Sequence, residues 1–455
     1  MDTARNYSRI IEPNAAGHTH FVSSYFSATD VVREGIWEWS KPHSYLILHA
    51  ALLLGEYNGD PTMRSLVTAM ADHYLAHGTQ DAEGNWSFPA EINWRTDEAR
   101  GSLEAGDIAP YQMFWAAWRW TGDDKYLAPL ETRVRERGPG QLSMLNANAL
   151  DALGRREDWG QALVEQANER GASGFPLYAA WEMTGDRSYL ERLYGDEVQR
   201  ATQRMFMMTE GHWWSDRVEV YNEFLQRARL GGMALRRNQT FPGHTVSWRF
   251  VEDGDAENVA ILMPGATPDR FTVIAFNGSD REISAEMTGW NVTGGRWSVR
   301  SGTDSNGDDA IDGRASTREV LLESSRSTPL TFAPGVTTIH EFTLTGESDG
   351  AVQDRPDLAI GPRTTRVENG ALHVQVFSQG VHAAPAATVL LEDASGREIA
   401  RGRSAALAAA DDLTPKSTEV MLDLPAGFVA DGHRVRLIPD GDPAEITLLN
   451  NEVRL

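Results

Sequence analysis

The sequence predicts a multidomain α + β chain, with helical hairpins first, an antiparallel β-sheet domain next and a small β-sandwich last. Three observations predict it. Gly-Asp pairs recur at Gly59, Gly122 and Gly185, a spacing of 63 residues each time, and each closes an apolar, helix-like run. From about Phe241 that periodicity gives way to apolar–polar alternation between Gly, Asn, Asp and Pro turns. After the polar stretch TGESDGAVQDRPD a second alternating series begins.

Along the chain, WAAWRWTGDDKYLAPL from Trp115 and YAAWEMTGDRSYLERL from Tyr178 are close copies, and AALLLGEYNGDPTMRSL from Ala50 is a fainter one. Each reads as an apolar helix, a tight polar turn and the start of an amphipathic helix. The period exceeds that of tetratricopeptide and HEAT-type repeats, so it fits a long helical hairpin with a functional loop at one end, with a generic α-solenoid as the alternative. The last helix is expected to start at Asp216, which with Glu219 resembles a capping box. Val218, Tyr221, Leu225 and Ala228 form its apolar stripe, and Gly231-Gly232 ends it. These segments give a helical domain over residues 1–235, an antiparallel β domain over 240–347, a linker at 348–355 and a β-sandwich over 356–455.

Composition limits the function. A formal charge of −23 argues against general binding of nucleic acid, which needs a basic footprint. No apolar run is long enough for a membrane span. Without cysteine there are no disulfides, thiolate metal sites or Cys nucleophiles. One basic island stands out, because six arginines face three carboxylates between Asp216 and Arg249. The N-terminus, MDTARNYSRI, lacks the basic and then apolar regions of a signal peptide.

Two resemblances follow from these segments. RPDLAI, VFSQGVHAAPAATVLLED and ITLLNNEVRL resemble the opening, middle and Asn-Asn terminus of CARDB-type domains, immunoglobulin-like adhesion modules of bacterial extracellular proteins. The helical half, with its TGDxxYL turns, resembles part of an (α/α) toroid of the kind used by polysaccharide lyases and some glycosidases. A toroid followed by an antiparallel β domain is similar to the layout of several uronate-cleaving lyase families, the ulvan lyases among them. The resemblance implies a secreted, cell-surface or periplasmic protein. Six hairpins at the observed spacing would need more residues than a helical region ending near residue 235 provides. The expectation is therefore either an open toroid or an incomplete one, the C-terminal portion of a longer exported protein, which the absent signal peptide favours.

Three segments carry candidate chemistry. NAAGHTHFVSSYF supplies His18, His20 and Tyr25. The His-x-His spacing can ligate a metal, but no third ligand stands nearby in the sequence, so the pair reads as loop histidines. WSFPAEINWRTDEARG supplies Trp86, Asn93, Trp94 and Arg95, where a helical barrel would carry an active-face loop. TEGHWWSDRVEVY supplies His212, Trp213, Trp214, Arg217 and Tyr221. Trp86, Trp94, Trp213 and Trp214 are candidate flat faces for pyranose rings. For β-elimination from a uronate, the carboxylate beside C5 must be neutralised by Arg, Asn, a protonated acid or a metal. A His or Tyr then removes the C5 proton, and a Tyr or His protonates the leaving oxygen. Arg217, Arg95 and Asn93 are candidate neutralisers, His18, His20, His43 and His212 candidate bases, and Tyr25 or Tyr221 the candidate acid. The resulting expectation is lyase cleavage of an acidic polysaccharide substrate, with no cofactor required. Two alternatives stay open: a glycoside hydrolase drawing two carboxylates from Glu91, Asp97, Glu104 and Asp107, and a non-catalytic carbohydrate-binding or adhesion protein.

In the β domain, DSNGDDAID places Asp304, Asn306, Asp308 and Asp312 at positions 1, 3, 5 and 9 of a calcium loop. Position 12 is Ala315, which leaves a solvated acidic turn as one reading and a structural calcium as the other. The sequence contains no Walker loop, dinucleotide fingerprint, HExxH helix or Gly-x-Ser-x-Gly elbow.

Overall fold

A computed structural model describes residues 9–26, 30–40, 45–104, 107, 109–142, 147–206, 228–232, 243–441 and 443–455. The chain is mixed α + β, with helices and antiparallel sheets. Contacts divide it into two units, Met1–Leu127 with Asp349–Leu455, and Ala128–Ser348. No described helix is long and apolar enough to cross a membrane.

The described helices are α1 (Tyr45–Asn58), α2 (Pro61–Ala76), α3 (Ala109–Thr121), α4 (Leu127–Arg137), α5 (Ala147–Ala152), α6 (Gln161–Asn168), α7 (Phe175–Thr184) and α8 (Arg187–Phe206). The three Gly-Asp pairs follow α1, α3 and α7 and share one local design. Gly59, Gly122 and Gly185 have φ of +66°, +70° and +72°, the left-handed geometry that ends a helix. The residue before each, Asn58, Thr121 or Thr184, accepts with its side-chain oxygen the N–H of the following aspartate, at 3.0, 3.2 and 3.1 Å. Each aspartate then accepts an N–H of the next helical turn: Asp60 from Met63, Asp123 from Lys125 and Asp186 from Ser188, at 2.8, 3.0 and 2.9 Å. A Cβ added at Gly185 would meet nothing within 4 Å, so alanine there isolates the cost of the backbone conformation. Gly185→Ala is expected to destabilise its unit by about 1–2 kcal/mol, read from its denaturant midpoint.

In the first unit short strands surround the helices. β1 (Ile11–Pro13) pairs with β2 (Thr19–Phe21), and β3 (Tyr25–Phe26) with β4 (Val31–Val32). β5 (Trp39–Ser40), β8 (Glu91–Asn93) and β9 (Ala99–Arg100) form a small sheet, and β6 (Thr79–Gln80) pairs with β7 (Trp86–Ser87). Helix α2 buries Met63, Val67, Met70, Ala71 and Tyr74 at helical spacing. That leaves His73 and the C-cap His77 one turn apart at its end.

The second unit holds α5 to α8, most of α4 and eight strands. β10 (Val246–Phe250), β13 (Ile283–Gly289) and β16 (Ser327–Phe332) form one sheet. β11 (Val259–Leu262), β12 (Arg270–Asn277), β17 (Thr337–Glu347), β14 (Gly295–Asp304) and β15 (Asp312–Leu322) form the other. Val246, Ile283, Ala285 and Phe332 of the first sheet share a core with Phe271, Trp297 and Phe342 of the second. Ala228–Leu230 are helical and stop at Gly231-Gly232, as expected, while the rest of the helix expected from Asp216 lies outside the described residues.

The remaining strands of the first unit form the C-terminal sandwich. β18 (Leu358–Ala359), β19 (Thr365–Glu368) and β23 (Lys416–Asp423) pair with β20 (Ala371–Ser378). β22 (Glu398–Ser404), β21 (Ala387–Glu392), β24 (Arg434–Pro439) and β25 (Glu452–Arg454) form the facing sheet. Asp357, just before β18, is fully buried and accepts from Tyr57 Oη at 2.5 Å and Asn450 Nδ2 at 2.9 Å. Glu445 accepts from the Leu358 N–H at 2.7 Å and from Asn451 Nδ2 at 2.5 Å. Burial pushes Asp357 up to about 6 and Glu445 up to about 7, against the hydrogen bonds that pull them down. Folded-state values above the unfolded ones mean that the folded chain takes up these protons first as pH falls. Their stabilisation is complete below the unfolded carboxyl values and is lost as pH rises through about 6 to 7. In a chelating buffer, the sandwich is therefore expected to melt at a lower temperature near pH 8 than near pH 5, measured by calorimetry.

Candidate metal centre

The turn between β8 and β9 is shaped by Asn93. Its buried side-chain oxygen accepts the N–H groups of Arg95 and Thr96 at 2.9 and 3.0 Å, and its carbonyl accepts from Asp97 N at 2.9 Å. The turn closes with Asp97 at φ +62°, a conformation Asp tolerates better than most residues. The β1–β2 loop is built the same way. Asn14 Oδ1 accepts from Ala16 N at 3.0 Å and His18 N at 2.9 Å, while its Nδ2 donates to Asp97 Oδ1 at 2.6 Å.

Four side chains converge at these turns. His18 Nδ1 lies 2.8 Å from Asp97 Oδ2, and His20 Nε2 and His77 Nε2 each lie 3.2 Å from Asp97 Oδ1. One ligand atom from each of His18, His20, His77 and Asp97 falls within 4.8 Å of all the others, the only such group among the described residues. His20 is fully buried, while the side chains of His18 and Asp97 retain 29% and 22% of their exposure, so the cluster opens to solvent on their side. Ligands held at ~2.0–2.1 Å from one ion and spread by a tetrahedral angle lie roughly 3.3 Å apart, close to the His20–Asp97 and His77–Asp97 separations of 3.2 Å.

The hydrogen bonds fix which nitrogens are available. His77 Nδ1 is 2.7 Å from the His73 carbonyl, which only accepts, so Nδ1 carries the proton. Neutral His77 then aims the lone pair of Nε2 at the Asp97 carboxylate and, at 3.3 Å, at the Asp97 carbonyl. Acceptor faces acceptor. A proton on Nε2 would reconcile one such pair, whereas a metal cation satisfies all four groups. His73 itself is not a ligand in this arrangement, because its Nδ1 accepts the Thr19 N–H, which puts the proton of the neutral ring on Nε2. His20 lacks the usual outer partner, since its buried Nδ1 has none among the described residues.

Electrostatics favour the ligand form of two of the donors, His20 and Asp97. Burial, then the neighbouring His77, pushes the His20 imidazole down to about 4 against the pull of Asp97, so it is neutral at pH 7. Burial and His18 lower His73 as well. Burial raises Asp97, but the hydrogen bond from Asn14 and the neighbouring His77 and His18 outweigh it, leaving the carboxyl below its ordinary range. Three imidazoles and a carboxylate as donors suit a divalent transition ion such as zinc better than calcium or magnesium, which prefer all-oxygen shells.

The other expected site residues fall elsewhere. Trp94 donates its indole N–H to the Glu12 carbonyl at 3.1 Å, with Arg33 over its ring at 5.8 Å. Arg95 pairs with Glu38 at 2.8 Å and donates to the Arg33 carbonyl. Trp86 stacks on Phe88 with ring centroids 5.6 Å apart, against the position a Cβ of Gly78 would occupy. Tyr25 lies in β3. His43, His212, Trp213, Trp214, Arg217 and Tyr221 lie outside the described residues. Among the hydrolase candidates, Glu91 pairs with Arg100 at 2.7 Å and Asp97 belongs to the cluster.

The acidic loop sits at the β14–β15 hairpin tip. Asp304 accepts the N–H groups of Asn306, Gly307 and Asp309, Asp308 accepts that of Ala310, and Asp312 that of Ser305, so the loop's own amides engage these carboxylates. Asn306 donates to Asp308 at 3.1 Å.

No family model matches the chain, and no curated protein matches it. Among solved structures it is similar to the β-glucuronidase from Ruminococcus gnavus. The complex with N1-substituted uronic isofagomine matches at 10% identity and a TM-score of 0.15, over 47% of this chain and 47% of that one. The complex with uronic isofagomine matches at 11% identity and a TM-score of 0.15, over 47% and 39%. The apo enzyme matches at 10% identity and a TM-score of 0.15, over 47% and 46%. This chain thus spans less than half the length of these glucuronidase chains, and no activity is carried over from them.

Proposed function

We propose that this protein binds one divalent transition-metal ion through His18, His20, His77 and Asp97, and that it cleaves an acidic, uronate-containing polysaccharide by β-elimination. The observation that carries the metal reading is the His77 lone pair facing the Asp97 carboxylate inside a four-donor cluster. An ion there supplies positive charge, the first requirement for acidifying the proton beside a uronate carboxylate. The chain's own residues hold it: His77 is oriented by the His73 carbonyl, and Asp97 by Asn14 and its turn. The toroid-type reading of the helical half draws on the three Gly-Asp turns, which share a left-handed glycine and a side-chain acceptor just before it. The CARDB-like reading of the C-terminal sandwich draws on its sequence motifs, whose Asp357 accepts from Asn450 and whose Asn451 donates to Glu445.

The test is incubation of the metal-loaded protein with a panel of uronate polysaccharides. The expected result is rising ultraviolet absorbance from the conjugated, unsaturated uronate product, lost on chelation. New reducing ends without that absorbance would identify a hydrolase instead. Binding with neither signal would leave a carbohydrate-binding protein.

A further inference from the structure

The cluster joins three segments that are far apart in the chain: the β1–β2 hairpin with His18 and His20, the end of α2 with His77, and the β8–β9 turn with Asp97. The hairpin has two strands of three residues each, too little pairing to be stable alone. Its outward tethers other than the cluster histidines include the Thr19 N–H to His73, Asn14 to Asp97, the Trp94 indole to the Glu12 carbonyl and an Arg33–Glu12 pair, with Phe21 and Val22 buried beneath. The Arg33–Glu12 pair is more than a third exposed on both sides and adds little.

At the centre of the cluster the Nε2 lone pair of neutral His77 opposes the Asp97 carboxylate, and a shared cation turns that opposition into attraction. Because the ligands come from separate segments, an ion that binds them is bound only when the segments are together, and its binding free energy becomes docking free energy. We infer that metal loading and docking of the N-terminal hairpin, residues 10–22, are one coupled event, with the ion cross-linking the hairpin to α2 and to the β8–β9 turn. This rests on the metal reading above. It adds that the ion organises the fold around Asp97, including the turn that carries Trp94 and Arg95.

Hydrogen–deuterium exchange of the full chain, loaded with zinc and then stripped by a chelator, tests the coupling while elemental analysis of the same samples reports bound metal. Stripping is expected to speed exchange of amides in residues 10–22 and 93–98 by at least about tenfold and to leave β10 to β17 unchanged. His18→Ala, which removes the most exposed imidazole of the cluster, should reproduce the faster exchange in the presence of zinc. Bound zinc with equal exchange in both states would overturn the coupling and spare the metal site. Absence of bound zinc would overturn both.

Discussion

Asp97→Ala is expected to lower zinc affinity by roughly 100-fold or more, measured by competition with a chromophoric chelator. The size of the effect follows from position. Asp97 is the only carboxylate in the cluster, it contacts all three histidines, and Asn14 holds its Oδ1. Its removal leaves three neutral imidazoles with nothing to balance the charge of an ion. Asn14→Ala removes only an orienting hydrogen bond and is expected to weaken binding about tenfold, in the same assay.

Trp297→Ala is expected to destabilise the second unit by about 3–5 kcal/mol, read as a shift of its urea midpoint. Trp297 is fully buried in the shared core of the two β-sheets, 5.5 Å from the Phe271 ring. Phe271 in turn stacks on Phe342 at 4.5 Å. The indole N–H donates to the Thr293 carbonyl at 3.1 Å, so truncation leaves a cavity and removes a hydrogen-bond donor. Leu321, on the next strand and 42% exposed, provides the contrast, since its truncation should change stability by less than about 0.5 kcal/mol.

Local requirements were legible in the sequence. A helix end that needs positive φ and an aspartate cap leaves a Gly-Asp signature, and Gly59, Gly122 and Gly185 all take that geometry. Alternation likewise marked strands such as β20 and β23, whose residues alternate in burial. The cluster was only half legible. The His18-x-His20 spacing could hold a metal but read as a pair of loop histidines, because the other two donors, His77 and Asp97, are brought in by tertiary packing rather than by spacing. One signal was available: His73 and His77 stand four residues apart at a helix end, where side chains share a face. Asp97 was visible only as one of several acids in its loop. Trp94 and Arg95 read as candidate ligand-facing residues, with a structural loop packed on Trp86 and Trp94 as the equal alternative; their polar groups contact Glu12, Arg33 and Glu38, because neither composition nor spacing reveals which way a loop side chain packs. Most of the basic island lies outside the described residues, and within them Arg249 pairs with Glu286 at 2.7 Å.

The most direct measurement is the metal content of the full chain after exposure to zinc and removal of excess ion. The metal-centre reading predicts one equivalent per chain in the wild type and a large loss in both His77→Ala and Asp97→Ala. Zinc absent from the wild type, or retained undiminished when His77 or Asp97 is replaced, would contradict it.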